Sequence, residues 1–167
     1  MKANKQVKNE KQVFIKSYAE FLLVEKAVEL INQNKNNHLQ LSILGKIVEK
    51  NKVDKRKLIV AKEIIETKCK SLFEFPIDFG MLTNPEIGNI FITGFLVDTF
   101  LQEVEKKTIG SLSTGPYGIL RGLGINSERT TFYINALEKG DYLLILRGYE
   151  NEINPSIDLL DNLAEQN

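Results

Sequence analysis

At 167 residues, with 43% hydrophobic and 26% charged side chains, the chain has the size and composition of one globular domain and is too apolar for general disorder. Its 22 basic and 22 acidic residues cancel, removing the global field that draws a protein to nucleic acid or an anionic membrane, so neither is an expected partner. The lone Cys69 forbids an internal disulfide and cannot complete a thiolate metal site, so no metal or cofactor is expected and a reducing, cytoplasmic setting fits.

Residues 1–11 are lysine-rich with almost nothing apolar, which predicts a flexible N-terminal tail with no signal peptide, followed by a single α+β domain over 12–167. Val13 to Ile15 read as a short strand, with Lys16 and Ser17 approaching a helix cap. Ala19, Leu22, Leu23, Ala27, Leu30 and Ile31 then recur at helical spacing, predicting a helix to about Gln33. Leu39, Leu41 and Ile43 alternate within a second strand over His38–Val48, and a lysine-rich loop follows from Glu49. Asp54 caps the next helix, Lys55–Leu72, whose stripe of Leu58, Ala61, Ile65, Cys69 and Leu72 faces the core. Phe73–Pro85, with its aromatic residues and two prolines, reads as a packed loop, and Asn89–Thr93 as the third strand.

Beyond Gly94, the positions Leu96, Val97, Phe100, Leu101 and Val104 predict a helix ending near Lys106. The longest apolar stretch, Ile87–Leu101, is broken by Asn89 and Asp98 and falls short of the roughly 20 residues a membrane helix needs. Thr114, Gly115 and Pro116 start a helix that runs to Leu123, and Asn126 or Ser127 caps another that Gly140 stops. Tyr142–Leu146 is the last strand, and Asn154 with Pro155 opens a terminal helix.

Gly122, Gly124 and Ile125, then Tyr133, Ala136, Leu137 and Gly140, then the apolar run Tyr142 to Leu146 form an ordered pattern. Pro85, Gly88, Ile90, Ile92, Gly94 and Leu96 form a second. Together they resemble a bacterial general-stress-protein domain of the heat-induced and low-temperature-induced type, whose members share no agreed activity. The resemblance implies a ferredoxin-like β-α-β-β-α-β domain, an antiparallel sheet with helices on one face, to which the helices at 55–72 and 95–106 are additions. Many members carry a glycine- and alanine-rich stretch between the second and third strands. Here that interval is lysine-rich and amphipathic, so a membrane role for it does not carry over.

The sharpest candidate site is Ser111, Ser113, Thr114 and Gly115 at a helix start, assisted by Arg121, where free N–H groups and the macrodipole favour a small anionic ligand. Neither phosphate-loop fingerprint is present, and the favoured reading is that Gly118, Gly122 and Gly124 allow close backbone packing and a tight turn. His38 lacks partners at metal-ligand or catalytic spacing, and Cys69 reads as an inert buried thiol. Asp78, Glu86, Asp98 and Glu103 read as solvated carboxylates, and the lysines of 46–57 as a solvated loop and helix start. Tyr117, Phe132, Tyr133 and Tyr142 are candidates for a small-molecule cleft, with core the favoured reading. No catalytic residue is assigned. The expectation is a noncatalytic stress-associated or regulatory binding domain, homodimeric through a sheet edge or a helix face. The alternatives are a small-molecule enzyme or an anion or nucleotide sensor using a cleft near the glycine-rich helix start.

Overall fold

The computed structural model describes residues 10–34, 38–47 and 54–165. Most of the predicted tail, and the part of the lysine-rich loop before Asp54, therefore lie outside the described residues. In chain order the elements are β1 (Gln12–Tyr18), α1 (Phe21–Gln33), β2 (Gln40–Lys46), α2 (Lys55–Ser71), β3 (Phe79–Asn84), β4 (Gly88–Thr93) and α3 (Val97–Leu101). A small hairpin of β5 (Glu103–Val104) and β6 (Lys107–Thr108) follows, then α4 (Gly115–Gly122), α5 (Ser127–Lys139), β7 (Tyr142–Gly148) and α6 (Glu150–Glu165).

Five strands form one antiparallel sheet in the order β1-β7-β2-β4-β3. β1 and β2 are thus parallel with β7 between them, and β4 and β7 are parallel with β2 between them. These are two interlocked split β-α-β units. A ferredoxin-like sheet seats its first strand in the interior, whereas β1 here lies at the edge and, among the described residues, pairs with β7 alone.

Helices cover both faces of the sheet, which corrects the expectation of one. The cause is readable in β7, where Leu143, Leu144, Ile145 and Leu146 are all fully buried. Successive side chains point to opposite faces, so an unbroken apolar run needs cover on both. Leu143 and Ile145 join a core with Phe100 of α3, Leu120 of α4 and Leu137 of α5. Leu144 and Leu146 join a second core with Val24, Ala27 and Val28 of α1, Cys69 of α2 and Leu160 of α6.

Several element boundaries differ from expectation for local reasons. β1 continues through Lys16 and Ser17, which pair with Leu144 and Leu143. Lys16 remains in the strand because its ammonium reaches the Leu160 carbonyl at 3.2 Å and the Asp161 carboxylate at 3.1 Å. The predicted loop before Pro85 contains β3, which pairs with β4 along its whole length. The helix predicted to reach Lys106 stops at Leu101, because Glu105 and Lys106 take positive φ (50° and 68°) at the tip of the β5–β6 hairpin. α6 begins a turn before Asn154, since the Glu152 carboxylate accepts from the Tyr149 N–H at 3.0 Å in the manner of a capping box. The caps at Asp54 and Asn126 and the left-handed stop at Gly140 fall where the sequence places them.

Side chains hold the loops to the sheet where backbone ladders end. Ser42 Oγ accepts from the Leu96 N–H at 2.9 Å and Thr93 Oγ1 from the Ile43 N–H at 3.0 Å. Between them Gly94 (φ 76°) passes so close that a Cβ would strike the Leu41 carbonyl. Asn84, 1% exposed, accepts from the Glu86 and Ile87 N–H groups and donates to the Gly110 and Leu112 carbonyls, all within 3.1 Å. Its one amide closes the β3–β4 turn and pins the loop ahead of α4. Asn84→Ala orphans buried backbone groups, and at about 1–3 kcal/mol for such a loss urea denaturation should show a destabilisation near the top of that range; a change below about 0.5 kcal/mol would show that water replaces the amide.

Candidate functional site

The residues proposed for anion binding do not form an open cradle. Ser111 Oγ donates to the Thr108 carbonyl at 2.7 Å, while Ser113 and Thr114 are exposed. Gly115 is buried, its N–H donates to the Leu112 carbonyl at 2.9 Å, and a Cβ there would collide with the Ile109 carbonyl. Pro116 has no N–H, and the Gly118 N–H donates to the Thr114 carbonyl at 2.9 Å. Arg121 lies about 10 Å further along the helix axis and donates to the Ile125 carbonyl at 3.0 Å, closing the opposite end of α4. Close packing accounts for Gly115, but a Cβ at Gly118, Gly122 or Gly124 would meet no described atom within 4 Å, so close packing does not explain those three. Of them only Gly124, at φ 94°, serves a turn, the one that follows α4.

His38 is exposed ahead of β2, and Asp78, Glu86, Asp98 and Glu103 are all exposed. Tyr133 is core: its hydroxyl donates to the Ile15 carbonyl at 2.8 Å and accepts from Arg129 at 2.9 Å, tying α5 to β1. Phe132 is exposed and Tyr117 half-buried. Of the four aromatic candidates, Tyr142 lines the most site-like feature.

That feature is a cleft of about 310 Å³ where the start of α1 meets α2. Phe21, Phe91 and Tyr142 line it, with Ile64 and Lys68 of α2 opposite. The Tyr142 ring meets Phe21 edge-on at 5.3 Å and Phe91 at 6.2 Å, and Phe79 stacks behind Phe91 at 6.0 Å. Gly45 of β2 makes the aromatic wall possible: a Cβ there would lie 2.6 Å from atoms of both the Phe91 and Tyr142 rings. The two rings thus rest on bare backbone. The Lys68 ammonium sits 5.9 Å from the Phe21 ring centroid, a cation over an aromatic face at the rim. Among the described residues the lining includes two lysines, Lys46 and Lys68, and no carboxylate.

The sequence reading named Tyr142 but missed Phe21 and Phe91. The signal was Gly45, because glycine within an apolar strand marks a place where another group approaches the backbone closely. The chain matches no family model, no curated protein and no solved structure.

Burial sets the ionisation around the cleft. The Cys69 thiol is pushed up to about 12, first by burial and then by Glu25 and Glu66, so it stays protonated and unreactive at neutral pH. Burial, and then Cys69, raises the Tyr142 phenol, which remains a neutral donor. On the same face of the sheet, Tyr18 is pushed up to about 12 by burial and Asp161, and its buried hydroxyl has no hydrogen-bond partner among the described residues.

All three are acids whose neutral form is favoured by folding. The contribution of Cys69 and Tyr18 is complete below the unfolded values of about 9 and 10 and is lost as pH rises toward 12, and that of Tyr142 falls in the same direction. Urea midpoints should therefore hold steady up to about pH 9 and fall above it. Tyr18→Phe removes one such group together with a hydroxyl that bonds no described residue, so it should keep or gain about 1 kcal/mol at neutral pH and shallow the alkaline fall. A loss of more than 1 kcal/mol would instead assign that hydroxyl an ordered water.

Proposed function

We propose that this chain is a noncatalytic, stress-associated regulatory domain of the cytoplasm that binds a small, flat, apolar molecule carrying an anionic group in the α1–α2 cleft. The observation that carries the reading is the aromatic wall of Phe21, Phe91 and Tyr142, laid over Gly45 and rimmed by Lys68. Apolar concave surface with a few placed polar groups is the usual form of a small-molecule site. The rings take the flat apolar part, Lys68 the anion, and the protonated Tyr142 hydroxyl is available as a donor. Two lysines, Lys46 and Lys68, with a neutral phenol and no carboxylate among the described lining residues, are a set for binding more than a pair for general acid–base work.

The stress-associated setting is supported by the resemblance of the Pro116–Leu146 region to bacterial general stress proteins. The two split β-α-β units are the feature shared with the ferredoxin-like arrangement that the resemblance implies. An anion held at Ser113–Gly115 is the second reading, and one experiment separates the two.

Titration with 8-anilinonaphthalene-1-sulfonate, followed by NMR, should give saturable shifts at Phe21, Phe91, Tyr142 and Ile64. Ile64→Glu, a change at a half-exposed position, should abolish them. Lys68→Glu should weaken this probe about tenfold while leaving neutral naphthalene unaffected. Shifts centred on Ser113–Gly115 would favour the second reading, and the absence of saturation at either place would contradict both.

A further inference from the structure

α2 presents apolar residues on two sides. Leu58, Ala61, Ile65 and Cys69 pack on the core, yet Ile59, Val60 and Ile64 on the outer side are each more than half exposed. Three β-branched residues on a solvated helix face neither favour the helix nor shield the core, and their clustering marks a contact surface. Beyond α1 in the same helical layer, α1 and α6 enclose a groove of about 440 Å³ floored by Leu30, Leu159 and Leu163.

Stripe and groove also differ in charge. α2 carries six basic and two acidic residues, net +4. From Glu150 to Leu163, α6 carries four acidic residues and no basic one, net −4. The whole chain is neutral, so each side of this layer is the electrostatic complement of the other.

Helix direction agrees. α1 starts beside Tyr142, and α2 runs from that end of the sheet, where Ile64 lines the cleft, to the other, where Leu72 accepts from Asn32. α6 runs back, bringing Asp161 to Lys16 near the starting end. Lys55, Arg56 and Lys57 occupy the first turn of α2, where its own macrodipole disfavours cations. A nearby anionic helix end would relieve that conflict.

We propose that α2 of one copy docks its Ile59–Val60 stripe into the α1–α6 groove of a second copy, and the reverse, forming a two-fold homodimer. A two-fold axis parallel to the strands, set between facing helical layers, lays α2 antiparallel on the partner's α6. The basic start of α2 then meets the acidic C-terminal half of that helix. Two equivalent contacts double the buried area, toward the roughly 800 Å² per partner of a standard interface. This inference does not depend on the ligand cleft, because neither Ile59 nor Val60 lines it.

Sedimentation equilibrium of the full chain tests it. The mass should rise with concentration from 19.0 kDa toward twice that value. Val60→Glu should weaken the dimer at least about tenfold. Lys57→Glu and Asp158→Lys should each weaken it, and the double variant should recover much of the loss. Lys57→Glu places an acid at a helix start, where it favours the fold, so weaker association would not reflect unfolding. A constant 19.0 kDa up to about 0.5 mM, a dimer indifferent to Val60→Glu, or a double variant no tighter than either single change would each overturn the proposal.

Discussion

The fold depends on the burial of β7 from both sides. Leu143 to Leu146 leave no polar face, and a strand of this kind is stable only when each surface of its sheet is covered. Its flanking strands follow from that position. β1 and β2 pair with it on either side, and β2 shares the pattern by sending Ile43 to one core and Leu44 to the other. The six α-helices of the described residues then divide between the faces and close two separate cores.

The loops are fixed mainly by single polar side chains replacing backbone ladders. Ser42, Thr93 and Asn84 are all buried and all spend their polar atoms on backbone groups of another segment or a nearby turn. Such bonds are worth little net when made and cost much when one partner is removed, which makes them determinants of geometry more than reservoirs of stability. Gly94 and Gly115 serve the same end by letting chain segments pass where a Cβ would strike a carbonyl. Gly45 applies that economy to the cleft, where the missing Cβ is filled by two aromatic rings.

The caps and long amphipathic elements were legible because their signals are local. Asp54, Asn126 and Gly140 each act within a few residues of themselves, and the α2 stripe repeats over four turns. β3 was hidden because Phe73, Phe75 and Pro76 break the alternation just before it, and strand identity there is decided by pairing with β4. Helical spacing from Leu96 to Val104 was real but was overridden by the positive-φ turn at Glu105 and Lys106. Strand order was not legible, since the placement of β7 between β1 and β2 is a non-local choice. The candidate site suffered most from this: Phe21, Phe91 and Tyr142 lie far apart in sequence and meet only because α1 and β4 reach the same end of β7.

Cleft, groove and basic helix all lie on the α1–α2–α6 side of that strand, and their geometry is inherited from it. Native-state hydrogen exchange tests this dependence most directly. If β7 is the shared centre of both cores, the amides of Leu143 to Leu146 will exchange only through global unfolding, with a free energy equal to that from urea denaturation and above that of edge strand β3. Exchange from β7 at a lower free energy than from β3, or protection that divides the two helical layers into separately opening units, would contradict the account.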